Sequence, residues 1–79
     1  MAVHYFHCTD GVDLVLDRAG RNVQTPDDLV ESACAAAERI MEALPPELDW
    51  SAWVVSVQDG AGRQVAVVPF PLRAQRLAA

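Results

Sequence analysis

One nine-residue phrase occurs twice in the chain, and it constrains the fold more than any other feature. Residues 15–23 read V-L-D-R-A-G-R-N-V and residues 57–65 read V-Q-D-G-A-G-R-Q-V. Six positions agree: Val15 with Val57, Asp17 with Asp59, Ala19 with Ala61, Gly20 with Gly62, Arg21 with Arg63 and Val23 with Val65. An Asp carboxylate accepts from backbone N–H groups two residues on, and Gly takes the positive φ that a tight turn demands. The phrase therefore predicts a β-turn between extended segments, written once before and once after the stretch that reads as a helix. It carries no nucleophile, metal ligand set or phosphate cradle, so it speaks to architecture and not to chemistry.

Around those turns the remaining elements follow. Residues 2–9 (A-V-H-Y-F-H-C-T) are aromatic and β-branched without a breaker, which predicts a first strand. Asp10-Gly11 is a hairpin signal, and Asp13 to Asp17 predict a short second strand with Leu14 and Leu16 on one side. Thr25 is a good N-cap, Pro26 suits the first helical position, and Asp27 and Asp28 favour the positive end of the helix dipole. Asp28 also stands where a capping-box carboxylate reaches back. Leu29, Val30, Ala33, Cys34, Ala37, Ile40, Met41 and Leu44 form an apolar stripe, with Glu31, Glu38, Arg39 and Glu42 opposite. Pro45-Pro46 ends the helix. Ala52–Gln58 and Arg63–Val68 predict two more strands around the second turn, the last limited by Pro69 and Pro71.

The order predicts an α+β fold, an antiparallel sheet of about four strands (β-β-α-β-β) with one helix packed on one face. At 79 residues a single small domain is expected, 1–72, with a flexible tail expected at 73–79. A domain this short buries only about 60–65% of its unfolded surface. Hydrophobic residues nonetheless make up 52% of it, so apolar surface is left over, and association is the usual way to hide such surface. A homodimer is expected, formed through the sheet, with Tyr5, Trp53 and Phe70 as candidate interface residues.

The charge narrows the partners. Eleven acids face six arginines and no lysine, a net charge of −5. Nucleic-acid binders present a basic face that displaces counterions from phosphates, so nucleic acid is not an expected partner. No run approaches the ~18 apolar residues of a membrane span, and Met1 leads directly into a strand, so no leader or membrane partner is expected. Cys8 and Cys34 have no metal or redox spacing and read as two reduced, buried thiols of a cytoplasmic protein.

No catalytic, cofactor or metal site emerges. His4 and His7 fall on opposite faces of a strand, while His4 and Cys8 share a face but lie about 13 Å apart, too far to hold one ion. Cys8 lacks a base, since His7 points the other way, and Cys34 belongs to the apolar stripe. Asp10, Asp13, Asp17 and Asp59 do not have the spacing of a calcium loop. Trp50 and Trp53 divide between core and interface. A small-ligand pocket between helix and sheet would draw on His7 and Cys34.

The opening Tyr5-Phe6-His7 with Asp10-Gly11, then Asp17 and Gly20, Asp28-Leu29, Ala33, Asp59 and Gly62, and Val68-Pro69-Phe70 together resemble a family of short proteins from soil and plant-associated (rhizobial-type) alphaproteobacteria, known only as a domain of unknown function. The resemblance spans roughly residues 4–70 and departs at the Thr25-Pro26 cap and in the longer Pro45–Trp50 connector. It implies the same fold order and no catalytic residue, ligand or cofactor. The functional expectation is an uncharacterised, non-catalytic, homodimeric interaction module acting on an unknown protein partner. The alternative is an antitoxin-like or small-ligand-sensing regulator, the antitoxin form calling for a basic helix-turn-helix that these residues do not contain.

Overall fold

Eight extended residues without a breaker open the chain as β1 (Ala2–Thr9) in a computed structural model that describes residues 2–45 and 47–70. Asp10 Oδ1 then accepts from the N–H groups of Val12 and Asp13 (2.9 and 2.7 Å), and Gly11 takes φ +94°. That turn returns the chain as β2 (Leu14–Val15), followed by β3 (Arg21–Val23), α1 (Pro26–Ala43), β4 (Val54–Gln58) and β5 (Gln64–Pro69). The expected α+β class holds, with one more strand than the four predicted. The expected tail, 73–79, lies outside the described residues.

β1 pairs antiparallel with β4, and β4 with β5. The other side of β1 is shared: β2 pairs with its end, Cys8 opposite Val15, and β3 with its beginning, His4 opposite Arg21. Four residues of β1 thus face a six-residue advance of the partner, so two extra residues bulge out between β2 and β3. The first copy of the repeated phrase does not reverse the chain, contrary to its sequence reading. It interrupts a strand, whereas the second copy makes the β4–β5 hairpin.

The local reason is the Asp. Asp17 Oδ1 accepts from Ala19 and Gly20 N–H (3.1 and 3.2 Å), as the sequence predicts, and that pulls the chain off the ladder after Val15. The second strand therefore ends two residues short of the predicted Asp17, and Leu14 and Leu16 are exposed. At the second copy, Asp59 Oδ1 accepts from Ala61 and Arg63 N–H, both at 2.9 Å. Both glycines take positive φ, +74° at Gly20 and +86° at Gly62.

α1 begins as its sequence requires. Thr25 Oγ1 accepts from Asp28 N–H at 3.0 Å, Pro26 stands in the first turn, and Asp28 Oδ2 reaches back to Gln24 N–H at 3.4 Å. The buried face is rotated from the predicted stripe. Ser32, Ala33, Ala36 and Ala37 are its buried residues, while Val30 and Leu44 are exposed. Small side chains let the helix backbone approach the sheet closely, against Phe6 and Cys8 of β1 and Val55 and Val57 of β4. Leu29, Ile40 and Met41 pack around that centre.

One end of the core is aromatic. The Asp49 carboxylate accepts from Ser51 N–H, and Trp53 N–H donates to Trp50 O, so β4 starts at Val54 and not at Ala52. The turn brings Trp50 and Trp53 within 5.3 Å, edge to face, and Phe70 stacks on Trp50 at 5.5 Å. All three rings are buried. Such ring pairs contribute about 0.5–1.5 kcal/mol beyond their burial.

Candidate functional site

Asp17, between β2 and β3, ties the bulge to β1. Its Oδ1 holds the bulge, while its Oδ2 accepts from the Phe6 backbone N–H at 3.1 Å, in the stretch of β1 that neither β2 nor β3 reaches. The carboxylate thus supplies the acceptor that the missing strand would have provided. The Asp17 N–H in turn donates to His7 Nδ1 at 3.0 Å. Burial alone would raise the Asp17 carboxyl, but the N–H groups of Phe6, Gly20 and Ala19 outweigh it and hold it below the usual range. Asp17 is therefore a charged structural acceptor.

Between this bulge and α1 lies a cleft of about 470 Å³, lined among others by Phe6, Cys8, Leu16, Asp17, Ser32 and Arg39. Burial pushes the Cys8 thiol up to about 11, Arg39 pulling the other way, so it is protonated at neutral pH. The expected pocket residues stand elsewhere. His7 alternates with the core-facing Phe6 and Cys8, so it lies on the sheet face away from α1, its ring stacked on Tyr5 at 6.4 Å. Cys34 is half-buried on α1, and neither residue lines the cleft. Ser32, Ala36 and Arg39 do, and their i, i+4, i+7 spacing was the signal in the sequence that marked one helix face.

The expected interface residues also separate. Trp53 and Phe70, 7% and 4% exposed, belong to the core, so any partner surface must be built from other side chains. Tyr5 is half-buried on the open face beside Gly20, where an added Cβ would come within 2.9 Å of the Tyr5 ring.

The two sheet edges differ in kind. One is broken into short β2 and β3, bulged, and carries the exposed Arg21. The other is β5, six residues without a charge, with Val65 and Val67 about half exposed. Phe70 N–H donates to Trp53 O at 3.1 Å, and antiparallel alternation then turns the N–H and C=O of Val68 and Ala66 toward β4 and those of Val67 outward.

Among the described residues, no three His, Cys, Asp or Glu side chains come together as a metal site, and no helix is long and apolar enough to cross a membrane. No curated protein and no solved structure matches the chain. One family model does, over residues 3–71, nearly the whole length. On that match the chain belongs to the family described as Domain of unknown function (DUF6894).

Proposed function

We propose that this chain is a small non-catalytic interaction module of the bacterial cytoplasm that forms a homodimer through its sheet, with β5 as the seam. The observation that carries the reading is the contrast between the edges. Natural sheets blunt exposed edges with charges, bulges and short strands. The β2–β3 edge has all three, whereas β5 has no charged residue and leaves the Val67 N–H and C=O facing solvent. A twofold axis at Val67 lets each copy donate to and accept from the other, which is the self-complementary arrangement a symmetric dimer requires.

Two features support a role without chemistry. The Cys8 thiol is protonated, and the carboxylate that shares its cleft, Asp17, is engaged with three backbone N–H groups.

Gel filtration with light scattering tests the reading. The 8.6 kDa chain should elute at twice its mass at micromolar concentration, and Val67→Lys should return it to the monomer with an unchanged circular-dichroism spectrum. A wild-type monomer throughout overturns it.

A further inference from the structure

The cleft between α1 and the bulge has two walls of different origin, and each presents an arginine: Arg39 from the helix and Arg21 from β3. Both guanidinium-bearing residues are exposed, and among the described residues neither forms an ion pair, whereas Arg63 is 3.8 Å from Asp59. In a chain of net charge −5, two of the four described arginines flank one cleft. Its floor and sides are apolar, from Phe6, Val15, Leu16, Ala36 and Ile40. Leu16 is 52% exposed there, an apolar surface with nothing over it among the described residues. The volume of about 470 Å³ falls within the roughly 300–1,000 Å³ of small-molecule sites.

We propose that this cleft binds a small organic monoanion with an apolar body, a medium-chain or aromatic carboxylate, its carboxylate between Arg21 and Arg39 and its body against Phe6, Leu16, Ala36 and Ile40. Guanidinium groups match carboxylates in planar, charge-assisted hydrogen bonds. Asp17 selects the charge of the ligand. It also lines the cleft, and its two oxygens already take backbone N–H groups, so it stays ionised there. Two arginines and one carboxylate leave a single net positive charge, which suits a monoanion and disfavours a multiply charged phosphate. The ligand adds a function that dimerisation through β5 neither requires nor supplies, because β5 does not line the cleft.

Titration of the ¹⁵N-labelled chain with decanoate below its micellar concentration tests this, followed by amide shifts, with decanol as the neutral control and R21Q/R39Q as the variant. Both arginines are exposed, so the double variant keeps the fold. The expected result is saturable shifts at Ala19, Gly20, Ala36 and Arg39, with affinity at least about tenfold weaker for decanol and for the variant, the equivalent of about 1.4 kcal/mol. Absence of saturable shifts at these amides, shifts confined to another surface, or equal affinity for decanol or for the variant overturns the proposal.

Discussion

The carboxylate of Asp17 lies 3.1 Å from the backbone nitrogen of Phe6, eleven residues earlier, and gives β1 an acceptor where its neighbouring strand is interrupted. Asp17→Ala leaves that part-buried N–H without its acceptor and releases the bulge. A loss of about 1–3 kcal/mol is expected, read as a lower urea midpoint. The twin substitution Asp59→Ala should cost less, because the N–H groups it frees, those of Ala61 and Arg63, are exposed and water replaces the carboxylate.

Stability should also fall in acid, with a defined sign. The Asp10 carboxyl is held low by the Asp13 and Val12 N–H groups, Asp59 chiefly by the Arg63 N–H, and Asp17 by three backbone N–H groups that outweigh its burial. Groups whose folded pKa is depressed contribute stability above the ordinary carboxylate value of about 3.9 and lose it as pH falls through the lower folded value. The urea midpoint should therefore hold between pH 7 and 5 and drop below about pH 4. In Asp17→Asn that drop should be shallower.

The paired glycines of the repeat should respond unequally to the same change. At Gly62 a Cβ meets nothing within 4 Å, so Gly62→Ala bears only the strain of its positive φ, about 1–2 kcal/mol. At Gly20 the Cβ would lie 2.7 Å from Val3 Cγ1 and 2.9 Å from Tyr5 Cε2. Gly20→Ala should be the more destabilising by thermal melt, and it should disturb the Tyr5 ring signals, which Gly62→Ala leaves in place.

Cys8 should resist alkylation. With its thiol pushed up to about 11 by burial, thiolate is scarce at pH 7.5, and the side chain is only 2% exposed. Iodoacetamide under native conditions should modify half-buried Cys34 well before Cys8, by peptide mass mapping, and both equally in urea.

How far the residues foretold this fold depended on whether the signal was local. The Thr25 cap, the Asp-to-amide turns and the positive-φ glycines are short-range chemistry, and each lies where its sequence puts it. The strand pairing around the first repeat is not local. Nothing within residues 15–23 shows that Asp17 reaches Phe6 and turns an expected reversal into a bulge. The same holds for Trp53 and Phe70. Alternation assigns them a face, but only the Trp53–Trp50 turn, closed by Phe70, reveals that this face is the core. The cleft depended on a helix rotation that carried Ser32 and Ala36 inward and Val30 outward, set by which side chains were small enough to meet the sheet.

Amide hydrogen exchange at Val67 tests the seam at β5 most directly. Its N–H points away from β4, so in a lone chain it exchanges as an exposed amide, and in the dimer it is bonded to the second copy. Protection at Val67 that rises with protein concentration, and disappears when Arg or Lys replaces this valine's neighbour Val65, is the predicted result. Exchange at the exposed rate at every concentration, with Val68 and Ala66 protected as in any β4–β5 hairpin, would contradict it.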